Sequence, residues 1–218
     1  MNPGLSALVV HDLKNRLAAH AQHLAEVHDA HPAIEAALRP LRDDVDALQR
    51  RLIAFLTLYR ADAGGLSTDE QEEDPARLAA QLARVAATLG TRRGLRVELD
   101  AARAPASWFL DAYLVGLALE AAIDNAVRFA ATGVRVVAEA RRVDGADALV
   151  LAVEDDGPGP GGMPADEADA SASTGLGHAL GRMVARLHRV DGRAGEVALI
   201  DLGATGAARG ARFEMRLP

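Results

Sequence analysis

Apolar residues recur every three or four positions in the first quarter of the chain. Leu5, Val9, Leu13 and Leu17 stand four apart, and Leu24 and Val27 continue roughly the same face, the spacing of an amphipathic helix. Pro32 breaks the pattern. It resumes as Leu38, Leu41, Val45, Leu48, Leu52, Phe55 and Tyr59, alternating steps of three and four as in a coiled-coil seam. Two such helices alone bury too little apolar surface, so a second copy completing a four-helix bundle, a homodimer, is the expected resolution.

From Ala61 to Pro75 the pattern lapses into ADAGGLSTDEQEEDP, read as a solvated linker into a helix opening near Pro75. That helix is expected to reach about Gly90, followed by a strand at Leu95–Asp100 and a long helix from about Trp108 to Ala130. Strands are expected at Val134–Ala140 and Leu149–Glu154, then a glycine-rich loop, a helix near Leu176–His188, and strands at Glu196–Leu202 and Arg212–Leu217. Mixed helices and mostly hairpin-linked strands predict an α+β fold: a helical hairpin over residues 1–64, then an α/β sandwich over 65–218 with its helices on one face.

Composition narrows the function. The 218 residues carry a net charge of −7 and only 3% aromatics, which argues against nucleic acid, whose phosphates need Lys and Arg and whose bases need stacking platforms. There is no cysteine, so disulfides, thiolate metal sites and a cysteine nucleophile are excluded. The apolar stretch Trp108–Ala131 contains Asp111, Glu120, Asp124 and Arg128, each costly at bilayer depth. The N-terminus lacks the features of a secretory signal. A cytoplasmic protein without membrane insertion is expected.

Four strings carry candidate chemistry. In His11-Asp12-Leu13-Lys14-Asn15, His11 and Asn15 lie one helical turn apart and Asp12 adjoins the imidazole. A neutral imidazole is a usable nucleophile near pH 7 when a carboxylate takes the proton from its other nitrogen. In EAAIDNAVRF, Asn125 offers the hard oxygen that Mg2+ prefers. In LAVEDDGPG, a strand runs into a carboxylate and the close-approach glycines Gly157 and Gly159. In Thr174-Gly175-Leu176-Gly177-His178, glycines open a helix whose free amides and dipole suit phosphate oxygens. Taken singly, each also reads as an ordinary helix face, turn or cap. His20, His23, His28 and His31 form two H-x-x-H pairs, but with no acidic or thiolate set beside them they read as solvated.

In this order, the strings resemble the transmitter of sensor histidine kinases over nearly the whole chain. HDLKN is similar to the H box, EAAIDNAVRFA to the N box, EDDGPG to the first glycine box and TGLGHALGRMVARL to the second. The resemblance implies a HisKA-like dimerisation and phosphotransfer bundle joined to a GHKL-type ATP-binding domain, an enzyme that uses ATP and Mg2+ to phosphorylate His11. It makes Asp12 the general base and Asn15 the residue orienting water to dephosphorylate a response-regulator receiver domain, the implied partner. Asn125 would hold Mg2+, Asp156 would read the adenine amine beside Gly157 and Gly159, and Thr174, Gly175, Leu176 and Gly177 would line the phosphates. Residues 160–174 would form a lid.

Three departures qualify this. Ala121 stands where the family usually carries a second polar residue, and alanine cannot ligate metal. Arg16 replaces the proline of many H boxes, and the lid has no Lys or Arg. Two alternatives therefore stand beside the kinase: a phosphotransfer protein with a degenerate ATP domain, and a non-catalytic dimeric adaptor. With His11 so near the start, input is expected from a region upstream or from a separate sensory protein.

Overall fold

The computed structural model describes residues 35–143, 145–160, 175–203 and 209–218, with residues 16, 19, 20, 22, 23, 26 and 27 of the N-terminal segment, which are helical. His11, Asp12, Asn15 and Thr174, and all but the first residue of the expected lid, lie outside the described residues. The chain divides into two compact units, 1–65 and 66–218.

The first unit contains α1, Glu35–Asp62. Leu41, Leu48 and Phe55, seven apart, are exposed, and Phe55 stacks on Tyr59 with ring centroids 6.5 Å apart. These three positions belong to the seam spacing of a coiled coil.

The second unit is a layer of three helices on a five-stranded sheet. The helices are α2 (Pro75–Gly90), α3 (Ala112–Phe129) and α4 (Leu176–Leu187). The sheet strands are β2 (Arg96–Arg103), β4 (Gly133–Val143), β5 (Ala146–Asp155), β8 (Glu196–Asp201) and β9 (Ala211–Leu217), ordered β2-β4-β5-β9-β8. β2 runs parallel to β4 and every other neighbour is antiparallel. Two short pairs complete the unit: β1 (Gln71–Glu73) with β3 (Trp108–Leu110), and β6 (Arg189–Val190) with β7 (Arg193–Ala194).

Register sorts the side chains of the sheet. Val136, Val153 and Phe213 form one row across β4, β5 and β9, and Ala138, Leu151 and Met215 the next. All are buried, as are Leu82 of α2, Leu119 and Ile123 of α3, and Leu180 and Val184 of α4. Alternation puts the opposite set on the other face. There Arg135, Glu154 and Arg212 form one row, and Val137, Ala152 and Glu214 the next. Glu214 is almost fully buried and accepts from Arg141 at 2.5 Å, Arg212 at 2.8 Å and Arg216 at 2.7 Å. Burial alone would raise its pKa, but these bonds reverse the effect and hold it below the usual carboxylate range.

The expected helix over Trp108–Ala130 is corrected at its start. Trp108–Leu110 is a strand paired antiparallel with Glu73–Gln71, and the helix begins only after Asp111, whose side chain caps it through Leu114 N at 2.9 Å. The segment expected to be pure linker thus contributes β1. Among the described residues, no helix is long and apolar enough to cross a membrane.

Candidate nucleotide site on α3

Three residues on one face of α3, four apart, organise the site: Ala121, Asn125 and Phe129. At the first, α4 arrives. Gly177 comes so close that a Cβ on it would lie 3.2 Å from Ala121 Cβ, and α4 packs on α3, on the edge strand β8 and on its neighbour β9. At the third, the end of β5 arrives, and a Cβ on Gly157 would lie 2.3 Å from the Phe129 carbonyl oxygen. Asn125 sits between them, half-buried. The two contacts are about 12 Å apart along the helix at 1.5 Å per residue.

The α4 end opens on a glycine. Gly175, at φ +63°, is the N-cap and makes no side-chain cap bond, so the first amides of α4 have no capping side chain and the positive end of the helix dipole points outward. His178, one turn in, meets Phe213 edge to face at 6.4 Å. Its Nδ1 is buried without a hydrogen-bond partner. Burial, then the nearby Arg182, pushes the imidazole below its ordinary pKa, so it is neutral near pH 7.

At the other end, two consecutive carboxylates do different things. Asp155 closes β5 and is partly buried. It accepts from Gly157 N at 2.9 Å, and burial raises its pKa against the bonds from Gly157 and Ala211. Gly210, at φ +144°, packs directly on its backbone. Asp156 faces away, into the connection from α3 to β4. Its Oδ1 accepts from Ala131 N at 2.8 Å, Thr132 N at 2.9 Å and Gly133 N at 3.0 Å. Its Oδ2 accepts from Thr132 N at 3.0 Å and from the Thr132 hydroxyl. Slight burial opposes ionisation, but the Thr132 hydroxyl and the three amides outweigh it and bring Asp156 to about 2.

Of the residues singled out by sequence, the structure brings Asn125, Asp156, Gly157, Gly175, Leu176 and Gly177 to the two ends of one helix face. Gly159, at φ +77°, lies on the far side of the β5 loop, against Gly210 and Asp201. The sequence reading passed over Asp155, although it stands at the first position of the D-x-G-x-G string. It also passed over Asp111 and His188. His188 is buried; its Nδ1 bonds the Val184 carbonyl at 2.8 Å and its Nε2 accepts from Asp111 N at 3.0 Å, which requires the Nδ1–H tautomer. Asp111 Oδ2 in turn accepts from Asp69 N at 3.0 Å. Among the described residues there is no cluster of three or more metal-ligating side chains.

Residues 111–218 match the model of the histidine kinase-, DNA gyrase B-, and HSP90-like ATPases. Full-length ShkA in complex with AMPPNP is similar over the whole chain, with a TM-score of 0.69 and 19% identity, and the chain spans 46% of that protein. The Acinetobacter baumannii histidine kinase AdeS is similar over 95% of this chain and 96% of its own, at 0.60 and 18%. The cytoplasmic segment of the histidine kinase QseC is similar over 78% and 94%, at 0.55 and 16%. No curated protein sequence matches the chain. The C-terminal unit therefore carries a histidine kinase-like ATPase domain.

Proposed function

We propose that the chain is a two-component histidine kinase in which residues 65–218 bind ATP and deliver its γ-phosphoryl group to His11 in a dimeric hairpin formed by residues 1–64. The observation that carries this reading is the face of α3, with an uncapped glycine-opened helix at one end, a carboxylate flanked by close-packed glycines at the other, and an amide between.

Phosphoryl transfer requires alignment and charge neutralisation more than covalent chemistry from the protein. The amides opening α4 around Gly175, Leu176 and Gly177 bind the phosphates, a role to which Thr174 contributes. Backbone donors at a helix N-terminus explain how a chain of net charge −7 takes an anion without a basic patch. Asn125 would be the protein's oxygen ligand to Mg2+, and the ion would supply charge neutralisation at the phosphates. The amide oxygen of Asn125 is a hard donor of the kind Mg2+ accepts beside water and phosphate oxygens.

We place adenine recognition on Asp155 rather than Asp156. Both oxygens of Asp156 are already occupied by amide and hydroxyl donors. Asp155 adjoins Gly157, whose close approach to the Phe129 carbonyl fixes the end of β5 against α3. His11 then attacks the γ-phosphorus with Asp12 taking its ring proton, ADP leaves, and the phosphoryl group passes to a receiver aspartate. Asn15 orients water that hydrolyses the phosphoryl group from the receiver aspartate as inorganic phosphate.

Incubation with γ-labelled ATP and Mg2+ tests the reading. Acid-labile, base-stable label that disappears in His11→Gln is expected, and label that survives the substitution removes it. A second reading, a phosphotransfer protein with a degenerate ATP domain, is favoured by Ala121, whose methyl faces Gly177 where a polar group would reach the phosphates. It predicts negligible ATP affinity with phosphate exchange between His11 and a phosphorylated receiver.

A further inference from the structure

The last turn of α3 and its connection into β4, residues 127–133, are held by two charged side chains from elsewhere in the fold. Arg93, in the 3-10 turn Thr91–Arg93 that follows α2, donates through Nη1 to the carbonyls of Val127 and Arg128, the latter at 2.6 Å, and through Nη2 to Ala130 O at 2.9 Å. Asp156 accepts from the next three amides, Ala131, Thr132 and Gly133, and from the Thr132 hydroxyl. A helix C-terminus leaves carbonyls without helical partners, and the loop beyond it leaves amides. Here a guanidinium takes the first set and a carboxylate the second, without sharing any group. Thr132 O is taken by Arg96 N at 2.9 Å.

We infer that Arg93 and Asp156 are positioning residues that together set the place of α3 along its axis, and through it the place of Asn125 relative to Asp155. The geometry ties the two ends tightly. Asp155 is the last residue of β5, Asp156 grips the loop after α3, and Gly157 rests on the carbonyl of Phe129, so three consecutive residues join the base-reading carboxylate to the helix bearing the magnesium ligand. Asn125 is one turn before Phe129, and a shift of the last turn of α3 is transmitted to it by the helical hydrogen bonds. No ion pair joins the two side chains among the described residues; each acts on the α3–β4 segment from its own side. The low pKa of Asp156, about 2, keeps its charge in place throughout the physiological range.

This inference rests on the nucleotide reading above, and its test separates the two. Full-length Asp156→Ala, Arg93→Ala and Arg93→Lys proteins are titrated with ATP and with inosine triphosphate, with and without Mg2+, and their amide hydrogen exchange is mapped. The expected result in Asp156→Ala and Arg93→Ala is about a tenfold loss of the Mg2+-dependent tightening of ATP binding, the size seen for groups that orient ligands from behind. The preference for ATP over the inosine nucleotide, set by Asp155, should be unchanged. Exchange should accelerate over residues 125–133 and not in β8 or β9. Arg93→Lys should recover only part, since an ammonium cannot span three carbonyls as the guanidinium fork does. Loss of base preference with the Mg2+ effect intact in Asp156→Ala would overturn the inference and return Asp156 to the base. Unaltered exchange over 125–133 would overturn it as well. If the wild-type protein binds no nucleotide, the proposed function falls while the exchange map still decides the positioning role.

Discussion

Gly157 lies against the carbonyl of Phe129 so closely that no side chain fits between them: a Cβ would stand 2.3 Å from the oxygen and 2.9 Å from Asp155 Oδ1. The nearer neighbour cannot swing aside, since it is backbone at the end of a packed helix. Gly157→Ala is therefore expected to destabilise the C-terminal unit by roughly 1–3 kcal/mol, the cost of overpacking. Chemical denaturation measures the loss, and a midpoint equal to wild type would contradict the close approach.

Asp155→Asn and Asp156→Asn should separate cleanly. The first is expected to weaken ATP binding and lose discrimination between an adenine and a hypoxanthine base, because the amide presents its NH2 to the exocyclic amine. The second should keep that discrimination. Competition binding with the two triphosphates decides, and equal effects from both substitutions would refute the division of labour.

Acid should unfold the C-terminal unit through its carboxylates. Asp156 is brought from 3.8 to about 2 in the folded state, and Glu214 is also lowered. A depressed folded pKa contributes stability that is present above the unfolded value and lost as pH falls through the folded one. Stability is thus expected to hold down to about pH 4 and to fall between pH 4 and 2. In Asp156→Asn that part of the slope should be absent, which urea denaturation at several pH values in this window would reveal.

His188 bonds two backbone groups from inside the core, and His188→Leu leaves the buried Asp111 N–H without its acceptor. The expected loss is about 1–3 kcal/mol. His188→Gln carries both a donor and an acceptor and should recover part of it. Thermal melting of the pair gives the comparison, and equal destabilisation by Leu and Gln would mean that ring packing, not the two bonds, is what matters.

Ala121→Asn restores the polar residue that the family pattern expects. Its methyl already meets Gly177 at 3.2 Å from the latter's imagined Cβ, so the longer side chain must lie along the opening turn of α4, where phosphate is expected. The prediction is a faster labelling of His11 with ATP affinity little changed, checked by single-turnover label incorporation.

Much of this protein was legible in the order of its residues. The seven-residue spacing of Leu41, Leu48 and Phe55, the proline and glycine at the ends of α2, and the glycines opening α4 are local signals, and local signals survive without knowledge of the fold because they depend on neighbours along the chain. The Asp191-Gly192 turn between β6 and β7, both residues at positive φ, was equally local and simply went unread. The start of α3 was different. Trp108–Leu110 carries a helix-compatible apolar pattern, and only pairing with Gln71–Glu73, 35 or more residues away, makes it a strand. Likewise nothing in the string Asp155-Asp156 says which carboxylate turns toward the glycines and which toward Ala131–Gly133, because alternation at a strand end places them on opposite sides and the side that holds α3 is a tertiary fact. Sequence determined which groups were available; the packing of α3 between the end of β5 and the start of α4 decided which of them face one another, since hydrogen bonds across 23 or more residues are made only once the sheet and its helices have closed.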